Sequence, residues 1–242
     1  MNSENNGAAY EHAFDLARNF QQAFGFFNQK LFAGKLSSVI ITTQRHRGAS
    51  GFFSPDSYQE RAFDEGGLPT APGFTVHEIA IMPDAMYGRT DREVLSTLVH
   101  EMCHQLQQEQ GHPSRNNYHN REWAKYMREV GLEPSDQGKY DVRNPDLTDE
   151  ERKNAVEGKS TGQKMSHFIM PGGLFDKACA ELLEAGFVLR LQQAPILRLK
   201  PPKSKLKYTC PDCGLRAWAK PGSRLACADC KCIMDCEESE ED

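Results

Sequence analysis

Two hydrophobic periods alternate along the chain. Phe20, Ala23, Phe24 and Phe27 recur at i, i+3, i+4 and i+7, the spacing of one helix face, and predict a helix over 10–32. "LSSVIITTQ" (36–44) is β-branched and predicts a strand. "GASGFFSP" predicts a turn and a second short strand, and "FTVHEIAIM" (74–82) a third, closed by Pro83. Thr90 and Glu93 then form a Thr-x-x-Glu capping box, opening a helix that runs to about residue 109. Its apolar face is Leu95, Leu98, Val99, Met102 and Leu106, and Gly111-His112-Pro113 ends it. A third helix spans about Asn120 to Val130, with Trp123, Met127 and Val130 inward and Gly131 as its stop. Residues 134–165 are polar and turn-rich and read as a surface excursion or linker, followed by a helix at 175–187 and a short strand at 188–193. With no internal repeat, this order predicts an α+β fold.

Composition narrows the class. With 38% hydrophobic and 26% charged residues, the chain reads as a soluble globular protein, and 242 residues suffice for one core plus a small satellite domain. No apolar run reaches membrane-spanning length, so no membrane association is expected. The opening "MNSENNGAAYEHAFDLARNF" lacks a basic segment followed by an apolar one, which predicts a cytoplasmic protein. The net charge of -5 is concentrated in the terminal "EESEED". Opposing it, "RLKPPKSKLK" at 198–207 clusters Arg198, Lys200, Lys203, Lys205 and Lys207. Lys203, Lys205 and Lys207 are the candidate nucleic-acid contacts, against the plainer reading of a solvated linker. "GKST" at 158–161 imitates a phosphate-binding loop, but Lys153 stands where that motif needs glycine.

The strongest chemistry lies in "LVHEMCHQLQQ" (98–108). His100 and His104 are four apart on a helix, about 40° around its axis, so both imidazoles can face one ion. Glu101 lies about 100° away from His100, beside the metal rather than on it, as suits a general base. Cys103 points elsewhere and reads as a small core residue. A catalytic zinc needs a third protein ligand and one open position. Gln110 stands where the extended H-E-x-x-H-x-x-G-x-x-H pattern needs histidine. Glu122, Glu129 and His112 are possible, and His119, just before the third helix, is the better candidate.

Six of the eight cysteines fall between 210 and 236, which without a secretory signal points to metal rather than disulfides. Cys210-x-x-Cys213 and Cys227-x-x-Cys230 fit a closed tetrahedral Cys₄ zinc ribbon, structural because no position is left open. Cys232 and Cys236 are surplus, and either could replace Cys230. A redox C-x-x-C is the rival reading, without the βαβ frame it needs. So small a module is expected to need its metal to fold.

"LVHEMCHQLQ…NNYHNREWAKYMREVGL" resembles the SprT-like metallopeptidases, whose eukaryotic relative Spartan cleaves proteins crosslinked to DNA. The likeness extends upstream to the first helix and strands, and downstream to "TGQKMSHFIMPGGLF", similar to bacterial members. It implies a small zincin-like core in which His100, His104 and His119 hold the catalytic zinc, Glu101 acts on water, and Trp123 is the family's aromatic. The family often carries a C-terminal ribbon as well. One departure is Asn120, where relatives commonly have glycine.

The expected organisation is a core at 1–140, a polar linker with an accessory helix and strand at 141–200, the ribbon at 201–236 and an acidic tail at 237–242. The expected function is a zinc endopeptidase acting on protein, with DNA or DNA-bound protein as candidate partner. Substrate is expected to lie extended on an edge strand near 77–82, with His77 or Tyr87 as transition-state donor. The alternative is a nucleic-acid-associated or transcription-related regulator built on the ribbon and basic run; an intact Glu101 favours the enzyme. Oligomeric state is not legible.

Overall fold

The periodic phenylalanines build one wall of the core. In the computed structural model, α1 (Glu4–Phe32) buries Phe20, Ala23, Phe24 and Phe27. Each such phenylalanine contributes about 2 kcal/mol by leaving water. The structure describes residues 4–44, 48–68, 70–71, 73–115, 118–138, 148, 150, 158–190 and 204–236, with side chains of α1 from Phe14 onward.

Strands β1 (Val39–Thr43), β2 (Gly51–Gln59) and β3 (Thr75–Ile81) form a sheet in the order β1-β3-β2. β1 runs parallel to β3, with Ile41 opposite Ile79, and β2 antiparallel to it, with Phe53 opposite Ile79. Val39, Ile41, Ile79 and Ile81 are buried against the helices. The segment expected to offer an edge is therefore central: β3 is paired on both sides, and β2 is the outer strand nearest the helix that follows.

That helix, α2 (Asp91–Gln110), starts at the expected cap. Thr90 Oγ1 accepts from the Glu93 N–H at 3.3 Å, and Glu93 accepts from the Thr90 N–H at 2.8 Å. Leu95, Leu98, Val99 and Met102 are fully buried, and Leu106 packs at the margin of the same core. α3 (Arg121–Glu129) sets Trp123 and Met127 into it.

Residues after 158 correct the expectation of an accessory segment. β4 (Leu132–Ser135) pairs antiparallel with β5 (Ser166–Ile169), Leu132 opposite Ile169. α4 (Leu174–Glu184) buries Phe175, Cys179 and Leu182, with the Phe175 ring 5.5 Å from that of Phe27. β5 and α4 thus belong to the same core as α1 and α2. Periodicity did not mark β5 because it is only four residues long. Residues 188–190 form no strand, and 191–193 lie outside the described residues.

Contacts divide the chain between Ala194 and Pro195. In the second unit, β6 (Leu206–Thr209), β7 (Arg216–Ala219) and β8 (Asp235–Cys236) form a small antiparallel sheet in the order β7-β6-β8. It encloses Tyr208, Cys210, Cys227 and Met234. Arg198, Lys200, Lys203 and the acidic tail lie outside the described residues. No described helix is long and apolar enough to cross a membrane.

Candidate metal centres

One helical turn places His100 over His104, and the turn into α3 returns His119 to them. A ring nitrogen from each lies within 4.8 Å of the other two. Asn120 makes this return possible. Its Oδ1 caps α3 by accepting from the Trp123 N–H at 3.0 Å and also accepts from Gln107 Nε2 at 2.8 Å. Its Nδ2 donates to His112 O at 3.2 Å. The Asn120 side chain therefore ties the start of α3 to the end of α2. Below the histidines, Trp123 is fully buried, with ring centroids 4.9, 5.3 and 4.4 Å from those of His100, His104 and His119.

Burial and then the neighbouring rings push His100 well below the usual imidazole range, and His104 is lowered to about 3 for the same reasons. Burial also lowers His119, against its hydrogen bond to Gly162. All three rings are neutral at neutral pH, the state that offers a lone pair to a cation. Burial pushes the Glu101 carboxyl up to about 8, against a hydrogen bond from the Phe53 backbone N–H. A Cβ at Gly51 would come within 3.0 Å of Glu101 Oε1 and 3.1 Å of Ala80 O. β2 passes this close to the carboxyl because glycine has no side chain.

The competing ligands are otherwise engaged. Glu122 accepts from the His112 N–H at 2.7 Å and from Gln107 at 2.9 Å, and lies 3.3 Å from His112 Nδ1. Glu129 lies 3.7 Å from Lys125 on the exposed side of α3. Alanine at His119 should therefore weaken core zinc binding by more than the roughly 10–100-fold that loss of a supporting hydrogen bond costs, while His112→Ala leaves it unchanged. Zinc retained after titration with a chelator measures this, and equal loss from His112→Ala would move the ligand assignment.

The histidines and Glu101 open onto a cleft of about 850 Å³. Gly51 to Pro55 line one side, and Tyr118, Asp136 and residues 163–167 line others. His77 and Tyr87 are not among the lining residues; His77 Nδ1 accepts from the Asp56 N–H at 2.9 Å instead. Tyr118 is the phenol at the cleft, missed in the sequence although it directly precedes His119. Also missed were the roles of Gly162 and His167. Gly162 exchanges backbone hydrogen bonds with His119 at 2.9 and 3.1 Å and accepts from its Nδ1 at 3.1 Å. His167 Nδ1 lies 3.2 Å from His100 Nδ1.

In the second unit, sulfurs of Cys210, Cys213, Cys227 and Cys230 lie within 4.8 Å of one another. The two Cys-x-x-Cys turns share one backbone pattern. The Cys210 N–H donates to Leu215 O and the Gly214 N–H to Cys210 O; likewise Cys227 N–H donates to Cys232 O and Lys231 N–H to Cys227 O. Gly214 and Lys231, at φ 71° and 57°, close the two turns. This repeat sets Cys230 in the second turn where Cys213 stands in the first, while Cys232 Sγ lies 3.4 Å from Cys210 Sγ and Cys236 is exposed on β8. The Cys213 backbone N–H draws Cys210 down to about 6, whereas hydrogen bonding to Cys213 and burial push Cys230 up to about 12. Four crowded thiols ionise together only beside a cation, which is what a metal supplies.

Paired helical histidines with an acid beside them, a third histidine and an open cleft fit a metallopeptidase-like domain, and both clusters are compatible with zinc. The SprT-like family matches residues 20–143, and the chain belongs to that family. Neither the curated proteins nor the solved structures yield a match.

Proposed function

We propose that this protein is a zinc endopeptidase with a zincin-type core, acting on DNA-associated or DNA-crosslinked proteins, and that its C-terminal unit is a structural zinc ribbon. The observation that carries the reading is Glu101, an acid with no structural salt bridge among the described residues, set in the cleft beside three convergent histidines. His100, His104 and His119 would hold the zinc, which supplies Lewis acidity and makes water easier to deprotonate. Glu101 takes the proton of the attacking water and returns it to the leaving amine. Residues 51–54 on the outer strand β2 give an extended peptide a strand to lie along. Tyr118, which lines the cleft, is the candidate donor to the developing oxyanion. The test is cleavage of a DNA-binding protein by the zinc-loaded full chain, with and without single- and double-stranded DNA. Glu101→Gln protein is run beside it, and no zinc-dependent cleavage under any condition would reject the reading.

A second activity, DNA binding by the ribbon, is favoured by one face of its sheet. Trp218 is 62% exposed and sits directly opposite Lys207, with Arg216 two residues away on the same face. An exposed indole flanked by cations suits base stacking with phosphate contacts, without sequence reading. Affinity should fall steeply with salt. Trp218→Ala should weaken single-stranded binding by about 1–3 kcal/mol, and glutamine at Lys203, Lys205 and Lys207 should flatten the salt dependence. Deleting 237–242 should tighten binding at low salt, because the tail's acids compete for the same lysines. A salt titration of all four chains decides it; identical curves would reduce the basic run to a linker.

A further inference from the structure

We propose that His167, backed by Ser96, is a positioning residue that fixes the tautomer and ring orientation of His100 and so sets how tightly the core centre holds its metal. The inference rests on the reading of His100, His104 and His119 as zinc ligands. His167 lies outside the segment that matches the family, 67 residues from His100 along the chain.

The hydrogen bonds can be oriented from one end. Ser96 Oγ lies 2.8 Å from Glu93 O, and a carbonyl only accepts, so the single hydroxyl proton is spent there. Ser96 Oγ must then accept from His167 Nε2, 2.9 Å away. With Nε2 protonated, a neutral His167 has a bare Nδ1. That nitrogen faces His100 Nδ1 at 3.2 Å, so His100 carries its proton on Nδ1 and donates it. Burial away from water disfavours a charge on either ring, and both are neutral: His167 is 1% exposed, Ser96 0% and His100 7%. The consequence is a bare Nε2 on His100, the atom left for a metal. His119 is set the same way, because its Nδ1 can only donate to Gly162 O at 3.1 Å. The segment 162–167 therefore dictates which nitrogen two ligands present, a role that usually falls to a carboxylate or carbonyl.

The role differs from packing, and the variants separate the two. His167→Asn keeps an acceptor oxygen near the place of Nδ1; His167→Leu fills the space without one. In the full chain, core zinc affinity, read by competition with a chelator, should fall about 10–100-fold in His167→Leu and recover to within a few-fold in His167→Asn. Ser96→Ala should cost several-fold, because His167 is then free to take the other tautomer. Cobalt in place of zinc reports the ligand field through its visible bands. The core bands should shift in His167→Leu and not in His167→Asn, with the thiolate bands of the ribbon as an internal standard. Unchanged affinity in His167→Leu, or equal loss in Leu and Asn variants, overturns the proposal. If His167→Leu does not fold, unchanged affinity in Ser96→Ala overturns it. An unmodified chain that takes metal at the ribbon alone overturns both this role and the core zinc site, whereas one that binds two metals with insensitive variants overturns this role alone.

Discussion

Glu101→Gln protein should keep its fold and both zinc ions and cleave peptide bonds about 10²–10⁴-fold more slowly than the unmodified chain. Glutamine nearly matches the shape of the carboxyl and can still meet the Phe53 N–H, but it cannot accept a proton from water. The change therefore removes chemistry without emptying the site. The same variant has a signature in metal-free protein. Burial raises Glu101 from 4.5 to about 8 in the folded chain, so on raising pH the unfolded chain loses this proton first. Stability of the metal-free chain then falls as pH rises from about 4.5 to about 8, by on the order of 4–5 kcal/mol in the limit. Glutamine abolishes that contribution, so the variant should be the more stable at pH 8 and differ little at pH 4.5. Cleavage rates with zinc, and denaturant midpoints without it, measure the two effects. Unaltered cleavage by the variant would assign the activity elsewhere, and parallel stability profiles would mean that the carboxyl is not buried in solution.

Cys210→Ser should unfold the second unit while leaving the first intact. The ribbon's buried set is Tyr208, Cys210, Cys227 and Met234, two of which are the proposed ligands themselves. So little apolar area cannot offset the ordering entropy of some thirty residues. Metal must supply the difference, and apparent binding energies of about 10–16 kcal/mol for structural zinc are sufficient. Zinc per chain should fall from two to one, and amides over 204–236 should lose exchange protection, while those of α1, α2 and α4 keep theirs. Retained protection over 204–236 in the variant, with its zinc gone, would show that the ribbon folds without metal.

Much of the core was legible because its signals are local. The α1 phenylalanines, the Thr90–Glu93 box and the Trp123–Met127 face each depend on helical spacing within a few residues, and the structure places all of them as that spacing requires. The His100–His104 pair is legible for the same reason, since four residues on a helix leave little freedom in where two rings point. The paired Cys-x-x-Cys turns are a similarly local device, here with matching backbone bonds.

His119 was already preferred to His112 and Glu122 for its place before the third helix and by the family resemblance, but how it returns was not legible. That return turned on Asn120 bonding across the α2–α3 turn and on Glu122 pairing with His112. The outer strand was misassigned because alternation along β3 says nothing about which neighbours pair with it, and both its sides are taken. The stretch up to residue 165 looked like a linker, and His167 just beyond it drew no notice, because the work here is done by one carbonyl and one imidazole rather than by a periodic apolar face. The sequence by itself determined the helices, the Thr90 cap, the His100–His104 pair and the two Cys-x-x-Cys pairs, because backbone geometry ties those residues to near neighbours. The tertiary structure alone decided how His119 comes back beside that pair, which strand borders the cleft and how His167 reaches His100, because contacts 43 and 67 residues apart depend on how the whole core packs.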